Sequence, residues 1–508
     1  MKLYTNSLST FLYLLLLSPF LILGTYLLYN FSSHTGFYAM FDTAFWQSFL
    51  FTFKQSFLST FITIVLGFLG ALGLLAVKNS RLKKKIIFFF LLPNFIPSLF
   101  VVLSFFSISS WFSVIFYGFP AIVLVHVFIN TGLCTILLCS LFSKKIAGMA
   151  DLACVEGSGG FAFWYAVIKF LKYELFISVL FFFALYFTSF SIPLLLSSGI
   201  ERTLEVFIYE KIALYGQWKQ AVLLSITQAL VFLGFGIAVY FFKKKHSVFS
   251  TSKMSVNSVK GLFYFSNIWL LSIPFLISII IILGFLSMAF NISSSHLYTM
   301  DWSLYYYSFL QGFFVGLGVF ILLLLTASLG FSSCFRRFLT FYISPSLVLI
   351  GFAYLLLAQN YNFAFIKYAL LFIALSVLFW PIFYRLKLET LLESLKEQFY
   401  LAQSLGASHF FILKKIIFPQ TIKYISFSSG VAALWGCGDF ALSAILLPKD
   451  VSLSLVIHSL LSSYRWEQAG VYSLLLLLLG LFLFYLLQTG LPYMLGYNTT
   501  NKKALKAK

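Results

Sequence analysis

A chain of 508 residues that is 61% hydrophobic and only 9% charged cannot cover a water-facing surface, since soluble domains carry roughly 25% charged residues. Most of it must be solvated by a lipid bilayer. The net charge of +20 does not point to nucleic acid, because the basic residues stand in short clusters between apolar runs and form no cationic face on a soluble domain.

Taken in chain order, the apolar runs read as helices. Lys2 precedes a run from about Leu8 to Leu28 that is too long for a signal-peptide core and lacks a small-x-small cleavage site, so a retained first helix is expected, reaching about residue 30. The stretch from Phe45 to Val77 exceeds one crossing and is interrupted by Lys54 and Gln55. It predicts an interfacial lead-in followed by a spanning helix near 55–77, with Lys54 snorkelling to water. Runs near 86–109, 119–142, 173–196 and 220–242 lead to a polar join, Lys243 to Lys260, which reads as a linker. Beyond it lie runs near 262–288, 305–330, 339–358, 364–384, 424–447 and 470–489. A helix needs about 20 apolar residues to cross the hydrocarbon core. Only helices satisfy the backbone in runs that do not alternate as barrel strands do. The expected fold class is all-α integral membrane, with about 12 transmembrane helices.

The loops carry 27 Lys and Arg on one side and 6 on the other, with Lys54 left beside a span. By the positive-inside rule this bias sets both termini in the cytoplasm. The cysteines, Cys134, Cys139, Cys154, Cys334 and Cys437, form no C-x-x-C pair. They read as small buried hydrophobes, and no metal site is expected.

The chain matches itself at an offset near 249 residues. The run from Leu152 to Phe161 corresponds to that from Leu401 to Phe410, and Val167-Ile168 to Ile416-Ile417. Leu204, Ile208 and Tyr215 correspond to Leu453, Ile457 and Tyr464. One residue out of step, Trp218-Lys219-Gln220-Ala221 corresponds to Trp466-Glu467-Gln468-Ala469. The expectation is two homologous halves, 1–250 and 251–508, each a six-helix repeat, related by an axis along the membrane normal. Their longest inner loops are about 143–172 and 385–423.

The second loop reads Glu397-Gln398-Phe399-Tyr400-Leu401-Ala402-Gln403-Ser404-Leu405-Gly406-Ala407-Ser408, followed by Ile416-Ile417-Phe418-Pro419. It resembles the EAA loop of binding-protein-dependent ABC importer permeases: a small-residue helix, a Gly, then an apolar-x-Pro signature. A short helix on the membrane surface must fit a cleft on a neighbouring subunit. Ala402 and Ala407 allow close approach there, and Gly406 permits the turn that ends the helix. The first-half copy, around Ala153, Glu156 and Gly157, departs from the pattern: Phe170 stands where the second half has Pro419, and Gly159-Gly160 replace Ser408-His409.

Within that family, Gly438-Asp439-Phe440-Ala441, Ser463-Tyr464-Arg465 and the run from Thr203 to Tyr209 look most like the thiamine importer group. Ferric-iron and phosphonate permeases share the fused layout. The resemblance implies a type I importer fold in the bacterial inner membrane. It implies two copies of an ABC ATPase subunit gripping Ala153, Glu156, Gly157, Ala402, Gly406, Ala407 and Pro419. It also implies a periplasmic binding protein that delivers a small-molecule substrate, with thiamine favoured.

No G-x-x-x-x-G-K-[ST] occurs, so ATP hydrolysis is expected on a separate subunit. No H-E-x-x-H or nucleophile elbow is present, and neither an enzyme nor a cofactor is expected. Asp439 is the one carboxylate well inside a predicted span. A charge there costs about 2.5–3.5 kcal/mol on insertion scales, so it should face a cavity or a partner. It can meet a passing cation, cap a broken helix near Gly436 and Gly438, or pair with Arg465. Trp435 and Phe440 are candidate pathway aromatics able to stack on a flat ring. Ser189 is the first-half counterpart of Asp439. The alternative is an ion-coupled twelve-helix carrier. It would need ionisable residues along its path, and the sequence offers almost none beyond Asp439.

Overall fold

The computed structural model describes residues 2–30, 41–77, 79–111, 117–145, 161–197, 201–245, 269–290, 301–329, 334–342, 346–359, 364–448, 451–463 and 465–496. Among these the regular elements are helices, and no strand occurs.

Helix α1 spans Lys2–Asn30. Helix α2, Thr43–Ala76, opens at Asp42, whose carboxylate accepts the Phe45 N–H at 2.7 Å. It then runs 34 residues without a break, so the expected interfacial lead-in is not a separate element. Gln55 does not interrupt it because its side chain is fully buried and its amide is bonded within the protein. Lys54, on the other face, is exposed. The run expected near 86–109 is two helices, α3 (Ser80–Phe95) and α4 (Ser98–Trp111), bent by 95°. Pro97 stands at the bend and holds Ile96 in extended backbone, as a proline does to the residue before it.

Helices α5 (Phe119–Lys145), α6 (Phe161–Phe170), α7 (Lys172–Phe187) and α8 (Ser191–Leu196) follow. Then come α9 (Leu204–Ala213), α10 (Trp218–Lys245), α11 (Ser272–Phe290) and α12 (Trp302–Ser328). Helices α13 (Cys334–Phe341), α14 (Leu347–Gln359) and α15 (Ala364–Phe383) lead into a π turn, Tyr384–Leu388. After it lie α16 (Glu389–Ser394), α17 (Lys396–Ser404), α18 (His409–Ile412) and a second π turn, Leu413–Ile417. Helices α19 (Phe418–Cys437), α20 (Ala441–Leu446), α21 (Leu453–Ser462) and α22 (Trp466–Met494) complete the order.

Six helical stretches among the described residues are long and apolar enough to cross a bilayer. They are Ser7–Tyr29, Thr43–Ala76, Phe119–Ser143, Trp302–Ser328, Phe365–Ser394 and Gln468–Met494; the bent α3–α4 pair would be a seventh. The chain is thus an all-α protein with the helices of a membrane protein. The runs expected near 173–196 and 424–447 are each broken, at 188–190 and 438–440.

The chain divides into two compact units. One comprises Gly36–Glu210 and Ile237–Asn291. Its centre is α2 against α5, with Leu74, Leu138, Phe142, Phe182 and Tyr186 fully buried. Helix α11 packs on α4, where Ser107 and Ser287 hydroxyls meet at 2.6 Å. From Ser48 to Thr63 the face that α2 buries is polar: Ser48, Thr52, Gln55, Ser56, Ser59, Thr60 and Thr63. Small hydroxyl and amide side chains suit helix contacts in lipid, where apolar side chains gain nothing by leaving the tails.

The other unit comprises Met1–Thr35, Lys211–Gly236 and Ile292–Lys508. Helix α12 lies against α19, and α19 against α22. Gly312 and Gly316 form a small-xxx-small face on α12, and Ser429 Oγ donates to the Gly316 carbonyl at 2.8 Å. Trp380, fully buried, donates from Nε1 to Thr326 Oγ1 at 3.0 Å. Helix α1 joins this unit through α14: Ser18 Oγ meets Tyr354 Oη at 2.8 Å, and Leu23 clusters with Val222, Leu349 and Ala353. The units therefore do not follow chain order. Helix α1 belongs with residues beyond 292, and α11 belongs with residues before 210.

Candidate functional site

Two places concentrate chemistry that the hydrophobic runs do not require. The first is the elbow between the two π turns. Helix α17 ends in a turn in which Leu405 N–H donates to the Leu401 carbonyl and Ala407 N–H to the Ala402 carbonyl. Gly406 adopts φ +79°, a left-handed conformation that costs an L side chain about 1–2 kcal/mol. Ser408 then caps α18 by accepting the Phe411 N–H at 3.3 Å. The elbow is tied down by Phe399, which is buried against His409, and by His409 Nε2 at 3.0 Å from the Ser328 carbonyl at the end of α12. Its outer surface is apolar: Leu401, Leu405, Phe410 and Phe411 are 64%, 79%, 72% and 53% exposed. Lys396, Lys414 and Lys415 flank that patch. Ala402 and Ala407 are half-buried in the turn, and Pro419 is the second residue of α19, directly after the π turn Leu413–Ile417. Ala153, Glu156 and Gly157 lie outside the described residues.

The second place is the break between α19 and α20, some 20 residues along α19 from the elbow, or about 30 Å at 1.5 Å per residue. Asp439 there accepts the N–H groups of Leu442 and Ser443, at 2.9 and 3.2 Å, so its carboxylate caps α20. Its carbonyl accepts the hydroxyls of Ser443 and Ser454, each at 2.8 Å. Arg465 is exposed and the cap occupies the carboxylate, so the capping geometry among the expected roles is the one formed. Phe440 is buried and stacks on His458 at 4.4 Å. Trp435 is half-buried between Phe379 and Phe383, with centroids 5.5 and 5.3 Å away. Asp439 and Phe440 share the break; Trp435 stands one turn earlier on α19 among α15 aromatics.

Asp439→Asn keeps a good capping oxygen and should leave thermal stability unchanged, whereas Asp439→Leu should cost about 1 kcal/mol. Equal losses from both would show that the charge, and not the cap, sustains the break.

The break between α7 and α8 is built alike. Ser189 Oγ lies 3.0 Å from His126 Nε2, and Phe190 packs edge-on against Tyr209 at 5.2 Å, whereas Phe440 stacks on His458. His126 is fully buried, stacks on Tyr186 at 4.7 Å, and its carbonyl accepts from Tyr186 Oη and Asn130 Nδ2. The sequence reading passed over His126, and also over Thr52, Ser308 and Gln311, which hold the broken segments. Their signal was present. Thr52-Phe53-Lys54-Gln55-Ser56-Phe57 and Ser308-Phe309-Leu310-Gln311-Gly312-Phe313 are similar, but they stand 256 residues apart, not 249.

Outside the predicted spans, burial holds the His458 imidazole below its ordinary range. A base depressed by folding contributes stability that is complete above its unfolded pKa of about 6.5 and is lost as pH falls from there. Thermal stability should therefore decline between about pH 7 and pH 5. His458→Phe, which keeps a ring against Phe440, should flatten that decline; an unchanged slope would assign it to another group.

Fold and sites together define an α-helical membrane protein with an apolar elbow at one end of its helices and a capped helix break at the other. No family model, curated protein or solved structure matches the chain.

Proposed function

We propose that the chain is the membrane-spanning permease of an ATP-driven importer, with two homologous six-span halves fused in one polypeptide. It takes a small solute, thiamine in the favoured case, from a periplasmic binding protein and passes it to the cytoplasm by alternating access. The observation that carries this reading is the elbow. Its turn at Gly406 presents Leu401, Leu405, Phe410 and Phe411 to the outside, and such an exposed apolar patch supports a docking site for a protein partner. Two ATPase subunits, one per elbow, are that partner, and they supply the hydrolysis for which this chain has no phosphate-binding loop.

The duplication is supported by helix bounds. Leu204–Ala213 and Leu453–Ser462 are both ten residues long and stand 249 apart, and Ser98–Trp111 and Leu347–Gln359 begin at the same offset. The cytoplasmic side of the elbow rests on the charge bias, to which Arg385, Lys387, Lys396, Lys414, Lys415 and Lys423 contribute.

The test is reconstitution of the full chain in liposomes with the ATPase subunit encoded beside it. Hydrolysis that rises when both are present, and solute uptake that depends on ATP, are expected. An ATPase indifferent to this chain would overturn the reading. One observation favours the ion-coupled carrier more than the sequence did: His126, buried and bonded to Ser189, is a second ionisable group beside a helix break. Uptake driven by an ion gradient with no ATPase present would select that alternative.

A further inference from the structure

The broken segments of the two units are held by the same pair of contacts from the long helix beside each. In one unit, the Leu204 N–H donates to Thr52 Oγ1 at 2.7 Å, and Gln55 Nε2 donates to the Tyr186 carbonyl at 3.1 Å. In the other, the Leu453 N–H donates to Ser308 Oγ at 3.0 Å, and Gln311 Nε2 donates to the Gly436 carbonyl at 2.9 Å. Each amide thus reaches the last turn before a break, and each hydroxyl reaches the first N–H of the second helix after that break, α9 or α21. The hydroxyl and the amide are three residues apart, so one turn of one helix face makes both bonds. All four side chains are 2% exposed or less. The resemblance extends to the rings between them: Phe53 stacks on Phe57 at 6.4 Å, and Phe309 on Phe313 at 6.1 Å.

The physical demand is plain. A helix that stops inside an apolar layer leaves carbonyls without partners, and the next helix starts with free N–H groups. Capping side chains on the segment itself meet part of that demand, as Asp439 does for α20. The carbonyl end is met in part by the breaks' own N–H groups, Ser189 to the Tyr186 carbonyl at 3.3 Å and Asp439 to the Gly436 carbonyl at 3.2 Å; Gln55 and Gln311 give each of these carbonyls a second donor, from α2 and α12. Gln311 also donates to Ser443 Oγ at 3.0 Å, so it grips α20 as well as α19.

Helix α12 then has one contact at its last residue and another within its body, at Gln311. Its last carbonyl, at Ser328, meets His409 of the elbow, and Gln311 meets the break. The 16 residues between Gln311 and Ser328 are continuous helix.

We propose that Thr52–Gln55 and Ser308–Gln311 are matched clamps that position the segments after the two breaks, described over 188–197 and 438–448. We further assign α12 as the rod that carries the elbow's position to the second of them. The clamps stand on geometry alone; their role in solute passage rests on the importer reading.

The experiment uses the full chain in lipid nanodiscs and measures backbone amide exchange. Gln311→Met keeps the length and volume of the side chain and removes the donor. It should speed exchange at 438–447 about tenfold, the effect of losing about 1.4 kcal/mol locally, and leave 188–197 unchanged. Gln55→Met should do the reverse. Unchanged exchange in the Met variants, or equal acceleration of both segments, would overturn the clamps. In the reconstituted transporter, Gln311→Met should lower thiamine uptake while ATP hydrolysis continues, an uncoupling that loss of folded protein does not produce. Retained uptake would overturn the rod. If the unmodified protein takes up no thiamine, the importer reading loses its substrate, and the exchange result alone decides the clamps.

Discussion

Replacing Leu405 and Phe410 together by Asp is expected to abolish ATP-dependent uptake while leaving the membrane helices intact. Both side chains are more than 70% exposed, so removing them takes nothing from the interior. Neither is among the residues that secure the elbow, which are Phe399, Ser408 and His409. A carboxylate at each position would instead face the apolar cleft of a bound subunit, where an unpaired buried charge costs several kcal/mol. Two such losses would lower association by more than about a thousandfold. Size-exclusion profiles of the variant alone should match those of the unmodified protein, and ATPase co-elution should disappear. Gly406→Val approaches the same end differently. Its φ of +79° strains a β-branched residue, so the elbow should be displaced while its surface residues remain. Association that persists in both variants would assign the apolar patch to lipid instead of a subunit.

Gly316→Leu is expected to have the largest effect on folding. A Cβ at Gly316 would stand 2.9 Å from the Ala433 Cβ and 2.9 Å from the Ser429 carbonyl, contacts that α19 relieves only by moving away. Overpacking of this kind costs about 1–3 kcal/mol by itself. Displacement of α19 would also break the Ser429–Gly316 hydrogen bond and carry the Gly436 carbonyl away from Gln311. The melting temperature in detergent should drop by several degrees, with the fall accompanied by faster amide exchange at 438–447. Gly24→Leu is the matched control, because nothing lies within 4 Å of the Cβ it would introduce. Equal losses from both substitutions would mean that helix propensity, and not the approach of α12 to α19, sets the stability.

The elbow was legible as a candidate site because its features are local. A glycine, a serine cap and a short helix are decided within a dozen residues, and Gly406 takes the conformation that its place after α17 demands. Asp439 was legible as an anomaly, a carboxylate in an apolar run, but the sequence left three roles open. The break it caps lies between Gly436 and Ala441, and only the geometry of α20 assigns the carboxylate to that helix. Gln55 was noticed as an interruption and misread: a polar side chain in an apolar run looks like the edge of a span unless its partner is known. Its partner, the Tyr186 carbonyl, is 131 residues away. Gln311 drew no notice, since its match to Gln55 lies seven residues off the offset that aligns the rest.

Composition and hydropathy by themselves determined that this is a helical membrane protein, because the cost of exposing a backbone to lipid leaves no other choice for runs so apolar. They also marked where polar loops interrupt those runs. Which runs are straight, bent or broken was decided by tertiary structure, as were the company of α1 with α14 and of α11 with α4. Hydropathy is a property of each residue with its solvent, whereas the backbone freed at a break is satisfied partly by side chains distant in the chain, Gln55 and Gln311, and those partners are chosen by the fold.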